Sequence, residues 1–186
     1  MTPVRVNHDH VPLVRVVQRG WASPLDASHS LREGGRWNPP GGFGVLYTCC
    51  SEVVARAIAF ERLERAGVVL SDLQPASRPQ LIEIGWKGSL VDVYSERGVA
   101  AGGLPASYPE GVDSDRTRPL GAIWSASRRS GVLCRSAPLS RAGVRSWPAD
   151  HRPWGEVALF VANASMPRLL RCRRDLDWLS APQAPA

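Results

Sequence analysis

The stretch Gly34-Gly35-Arg36-Trp37-Asn38-Pro39-Pro40-Gly41-Gly42-Phe43-Gly44-Val45-Leu46-Tyr47 decides how the rest of the chain reads. Five glycines and two adjacent prolines fall within fourteen residues. Glycine allows positive φ and close backbone approach, and proline fixes φ and stiffens a loop. A loop so constrained is suited to holding Arg36, Trp37, Asn38 and Tyr47 in one geometry. Those four offer a forked anion donor, a stacking face, an amide and a phenol. A turn-rich hairpin with ordinary punctuation fits the same spacing. The pattern alone therefore leaves a binding loop and a plain connection equally open.

Working outward, Gly44 to Thr48 reads as a strand, and Ser51 to Ala66 (SEVVARAIAFERLERA) as a helix. Ser51 suits the N-cap and Glu52 the positive end of the macrodipole, and Gly67 stops the helix. Val53, Ala57, Phe60 and Leu63 form one apolar stripe at helical spacing, with Val54, Ile58 and Glu61 on the adjoining one. Glu52–Arg56 and Glu61–Arg65 are i,i+4 pairs of stabilising polarity. Upstream, residues 1–10 read as a loose polar start and Val11 to Val17 as a first strand. Downstream, Gln80 to Trp86 and Ser89 to Tyr94 read as two strands, a candidate hairpin around Lys87-Gly88. Residues 95–118 form the longest irregular segment. Leu120 to Arg129 suits a short helix, Val132 to Ser136 a strand, Glu156 to Asn163 an apolar central strand and Arg168 to Cys172 a last strand. Ala181 to Ala186 is expected to fray. Short strands interleaved with a few helices, without regular βαβ alternation, make the fold class α+β.

A chain of 186 residues, 44% hydrophobic, is enough for one domain with a real core, placed at residues 1–180. The net charge is +6, and Lys87 is the only lysine. Residues 116–186 hold twelve arginines against four acids, a local +8, while residues 1–115 carry −2. That basic third fits nucleic acid, an acidic protein or a phosphorylated small molecule, and equally a merely solvated basic face. Cys49, Cys50, Cys134 and Cys172 form no CxxC pair, and His8, His10, His29 and His151 add no zinc-like spacing. Free thiols in a reducing cytoplasm are expected, with Cys134 a small core residue. No apolar run is long enough for a membrane-spanning helix, and the N-terminus does not read as a signal peptide.

Phosphate and dinucleotide fingerprints are absent: there is no GxxxxGK[ST] and no strand–GxGxxG–helix unit. HExxH and GxSxG are absent too. The run GGRWNPPG followed by VLYT and a helix with AxA spacing resembles the RES domain, a bacterial toxin family named for its Arg, Glu and Ser. Leu120-Gly121-Ala122-Ile123-Trp124, Gly131 to Ala137 and Val157-Ala158-Leu159-Phe160 extend the likeness, so that it runs from about Val11 to Asn163.

The resemblance implies an ADP-ribosyltransferase-like fold with a split mixed or antiparallel sheet and short flanking helices. It implies a toxin that takes NAD as substrate, without a metal, and cleaves the nicotinamide–ribosyl bond by phosphorolysis or hydrolysis. It also implies a helical Xre-type antitoxin as partner. The family's Arg, Tyr and Ser fall on Arg36, Tyr47 and Ser136. Trp37 and Asn38 join Arg36, Tyr47 and Ser136 as expected NAD contacts. The chain departs from the family at the glutamate, which should follow the tyrosine by eleven residues and meets Ile58 instead. Glu61, one turn later, is the expected replacement, with Glu52 the other choice and a surface pair with Arg65 the plain reading of Glu61. Rival readings are a nucleotide- or partner-binding module without turnover and an ADP-ribosyltransferase. Direct nucleic-acid binding is disfavoured by the lack of a recognisable motif, and assembly with itself or with other chains stays open.

Overall fold

The computed structural model describes residues 3–180 apart from 10, 20, 22, 174 and 176. His10 and the tail expected at 181–186 lie outside the described residues. Within them, the strands are β1 (Arg5–His8), β2 (Leu13–Gln18), β3 (Val45–Cys49), β4 (Pro79–Gly85), β5 (Gly88–Val93), β6 (Gly131–Arg135), β7 (Gly155–Phe160) and β8 (Arg168–Arg173). They form one mixed sheet in the order β1-β5-β6-β7-β3-β2-β4-β8, with β5 and β6 parallel and the other neighbours antiparallel. The helices are α1 (Ser28–Glu33), α2 (Glu52–Arg65), α3 (Glu96–Ala101), α4 (Ser114–Ala126), α5 (Ala137–Arg141) and α6 (Asp177–Ser180). None of them is long and apolar enough to cross a membrane.

The sheet is split. Its β2–β3 seam is a single pair, Val14 opposite Cys49. Leu13, Val17, Ile82 and Ile84 on one side of that seam share a buried cluster with Leu46, Leu90, Leu133, Val157 and Leu159 on the other. Each such side chain contributes about 1.5–3 kcal/mol on burial, against a net ~0.5–1.5 kcal/mol for a ladder hydrogen bond. Packing therefore holds the two parts together where pairing is thin. On the outer face of the larger part, Val45, Val91, Val132 and Phe160 meet Val99, Leu104, Tyr108 and Trp124. On the outer face of the smaller part, Val14, Val16 and Leu81 meet Val54, Ala55 and Ala59 of α2 and Trp178 of α6. Strands covered on both faces need no polar alternation, which is why β7 reads as an apolar run.

Several expectations are corrected. The polar start contains β1, which pairs with β5 from Arg5↔Val91 to His8↔Gly88. β4 and β5 do not form a hairpin: β4 pairs with β2 and β8, and β5 with β1 and β6. Trp86, in the link between them, is buried in the central cluster, and the chain passes around that ring from one part of the sheet to the other. The segment 95–118 contains α3 and the start of α4, which Asp113 caps by accepting from Arg116 N at 3.2 Å. The helix expected from Leu120 to Arg129 is α4, which starts earlier, at Ser114, ends at Ala126 and has Pro119 inside it. α5 lies between the expected strands at Val132–Ser136 and Glu156–Asn163, where no helix was expected.

Helix α2 has its expected cap, with Ser51 Oγ accepting from Val54 N, and Gly67 after it at φ 63°. Its buried stripe is Val54, Ala55, Arg56 and Ala59 rather than the stripe through Phe60, which is exposed. Arg56 Nε donates to Trp178 O at 2.8 Å, and Glu52 pairs with Arg173 at 2.5 Å. The tertiary partners α6 and β8 thus take up groups that helical spacing alone assigns to each other.

Candidate active site

The glycine–proline loop joins α1 to β3. Gly34, at φ 72°, leaves α1 with its N–H on Ser30 O. Asn38 then pins the loop from inside. Its amide donates to Ser30 O at 2.6 Å and to Phe43 O at 2.9 Å, and its Oδ1 accepts from Tyr47 Oη at 2.8 Å. Tyr47 Oη in turn accepts from Trp37 N at 2.9 Å. Asn38 and Trp37 are fully buried, and Trp37 packs against Trp124. The stacking face and amide expected to meet NAD are therefore closed inside the fold. Their work is to shape the loop, because a buried amide is stable only with its hydrogen bonds made.

Helix α4 holds the same loop from outside. Thr117 Oγ1 donates to Arg36 O, and Arg118 Nε donates to Gly35 O at 3.0 Å. A Cβ at Gly121 would overlap the Trp37 carbonyl, so glycine is what lets α4 approach this closely.

Arg36 leaves this clamp with its side chain over the outer sheet face. Nη1 donates to Arg135 O at 3.2 Å, and Cys134 Sγ lies 4.0 Å away. Glu156 Oε2 is 3.9 Å from the same nitrogen. The Arg36 guanidinium sits 5.7 Å from the centre of the Tyr108 ring. Every one of these hydrogen-bond and ion-pair contacts falls on Nη1. Nη2 and Nε have no partner among the described residues. Side-chain exposure is 18% for Arg36 and 16% for Glu156, so the pair is neither sealed nor freely solvated. Burial opposes the Arg36 charge, but Tyr108, Glu156 and Cys134 outweigh it and raise its pKa above the ordinary guanidinium value. The fork is cationic at any working pH.

Burial likewise raises Tyr47 and Tyr108 above the ordinary phenol range and pushes the Cys134 thiol up to about 11. All three are neutral at pH 7, and none is poised as a nucleophile. Ser136 is fully buried as the N-cap of α5, its Oγ accepting from Leu139 N at 3.4 Å. It adjoins the Arg135 carbonyl that receives Arg36. Arg36, Tyr47 and the Ser136 backbone are thus brought to one region.

Glu61 is placed elsewhere. It pairs with Arg65 on its own helix and with Arg141 of α5 at 2.7 Å. It borders a groove of about 970 Å³ between α2 and α5, with Val53, Ala57, Phe60, Leu139 and Trp154, and Arg36 does not line that groove. Ile58 is half-buried and packs against the α2 core.

Sequence reading missed Glu156, Tyr108 and Thr117. Glu156 left one signal, a charged residue opening an otherwise apolar strand. The other two left none, because their neighbours come from distant segments.

The RES domain family model matches residues 12–178. The chain belongs to the RES domain family. No curated protein matches it in sequence. Among solved structures, this RES domain is similar to a chain in the crystal structure of the M. tuberculosis MbcT–MbcA toxin–antitoxin complex. The TM-score is 0.69 at 17% identity, covering 87% of this chain and 81% of the other. At that identity the likeness is one of fold.

Proposed function

We propose that this RES domain is the toxin of a toxin–antitoxin pair and cleaves the nicotinamide–ribosyl bond of NAD. The observation that carries the reading is the Arg36 fork, held by Nη1 and left with Nη2 and Nε unpartnered beside a carboxylate. NAD brings a diphosphate, and a guanidinium fork matches phosphate oxygens with charge-assisted hydrogen bonds. Arg135 O aims the fork. Tyr47, tied to Trp37 N and Asn38, keeps the loop rigid, so little ordering is left for binding. Ser136 caps the helix that starts beside that carbonyl and positions it.

When the glycosidic bond breaks, its electron pair leaves with the nicotinamide nitrogen, giving neutral nicotinamide. The ribosyl carbon becomes oxocarbenium-like. Water or inorganic phosphate then closes that carbon, giving ADP-ribose and a proton in one case and its 1″-phosphate in the other. Glu61 and Glu52 are held by arginines and take no part in this scheme. The partner is an Xre-type helical antitoxin that covers the site.

Purified protein should release nicotinamide from NAD in the presence of water alone or of added phosphate, and the antitoxin should suppress the release. Silence under both conditions overturns the reading. Ile58 in place of the family glutamate favours a second reading, a domain that binds the dinucleotide without turning it over. Calorimetric binding of NAD and ADP-ribose without nicotinamide release would select it.

A further inference from the structure

We infer that Glu156 supplies the carboxylate of this site, facing the ribosyl carbon in the role that Ile58 cannot fill; this rests on the NAD-cleaving reading above. Three observations carry it. First, β7 places Glu156 opposite Cys134 of β6 and Cys49 of β3, and two residues along from Ala158, the partner of Tyr47. Period-2 alternation then puts Glu156, Cys134 and Tyr47 on one sheet face, the face on which Arg36 lies. Second, Glu156 is under-partnered. Oε2 has only the loose 3.9 Å contact to Arg36, and Oε1 is buried without a hydrogen bond. Of the eight buried side-chain polar atoms without a hydrogen bond among the described residues, Oε1 is the one carboxylate oxygen, a group that calls for a partner. Third, a guanidinium with two unpartnered nitrogens and a carboxylate stand 3.9 Å apart. A phosphate drawn to Nη2 and Nε would set the sugar beside Nη1, where Glu156 waits.

A carboxylate there stabilises the positive charge that develops at the ribosyl carbon, and it does so without reorganising, because β6 and β3 fix its strand on both sides. No proton need pass to the leaving nicotinamide, which departs neutral. With water as acceptor, one proton is released, and Glu156 can accept it from the attacking water before passing it to solvent.

The alternative is that Glu156 serves only as a counter-ion that keeps Arg36 in place, and steady-state kinetics with NAD separates the two roles. Glu156→Gln keeps the shape and removes the charge, and it should lower kcat about a hundredfold or more. Its KM and calorimetric Kd for NAD should be unchanged or tighter, since Arg36 loses a competitor for phosphate. Glu156→Asp keeps the charge and should retain more turnover than Gln. A packing role gives the reverse order, because Gln is the closer isostere. Melting temperatures of both variants confirm that folded protein is being compared.

Wild-type turnover in Glu156→Gln overturns the inference and leaves the NAD reading standing. So does a parallel loss of NAD affinity and kcat, which assigns a counter-ion role, and so does a fall in kcat confined to Glu61→Gln. A wild-type protein that neither binds nor cleaves NAD removes the underlying reading, and this inference with it.

Discussion

Glu61 and Glu156 are almost equally enclosed, with 18% and 16% of their side chains exposed, yet they are bonded in opposite ways. Glu61 is saturated, taking Arg65 from one side and both carboxylate oxygens to Arg141 at 2.7 Å from the other. Glu156 has one arginine at 3.9 Å and an oxygen with no partner. The two arginines that hold Glu61 are mostly solvent-exposed. Arg36 is fixed at its backbone by Thr117 of α4, and its Nη1 is shared with Arg135 O of β6, which competes with Glu156 for the same nitrogen. Enclosure alone does not distinguish a settled carboxylate from an available one. What else the partner is bonded to does.

The largest effect should come from removing the fork. Arg36→Ala is expected to reduce nicotinamide release at least a hundredfold, and Arg36→Lys should restore little of it, because an ammonium cannot grip a phosphate in two directions. A variant that keeps wild-type turnover would break the contrast, since the Arg36 side of the molecule would then carry no function.

Next comes Gly121→Ala. The new Cβ pushes α4 off the Trp37 carbonyl and should cost about 1–3 kcal/mol of stability. Denaturant melts read the loss directly. Turnover should fall with it, because Thr117 and Arg118 of the same helix hold the backbone at Arg36 and Gly35. The α2–α5 groove is built from other segments and should be untouched.

Alkaline pH should weaken the fold, in part through groups beside Arg36; Cys49, Cys50 and Tyr94, raised by burial elsewhere in the core, add to it. In the unfolded chain the Cys134 thiol loses its proton near the ordinary value of 9, whereas the folded protein holds it to about 11. Between those values the folded state binds more protons, so stability falls as pH rises. Tyr47 and Tyr108 act in the same direction. The melting temperature should decline through that window, and Cys134→Ala should make the decline shallower. The smallest effect belongs to Glu61→Gln. Its pairs with exposed arginines are worth at most about 1 kcal/mol, so the melting temperature should shift by no more than about 2–4 °C.

Much of the framework was legible in local pattern. The loop's stiffness follows from its glycines and prolines, α2 from its cap and its stop, and β7 from an apolar run. Arg36 and Tyr47 could be singled out because they belong to that loop and the strand it feeds. Trp37 and Asn38 are enclosed in the fold, because residue type reports what a side chain can bind and only burial reports whether anything reaches it. The hairpin at Lys87-Gly88 was misjudged because a two-residue link between strands reads as a tight turn unless the ring beside it, Trp86, has a core to enter.

Sequence alone determined the α+β class, from the order of its short strands and helices, and the membership of the family, from a likeness that spans most of the chain, and it singled out Arg36 as a candidate. Tertiary structure decided which strands are neighbours and which carboxylate stands beside that cation. Arg36 and Glu156 are brought together only because β3, β6 and β7 align side by side, and strand pairing is a long-range choice made by how the whole core packs.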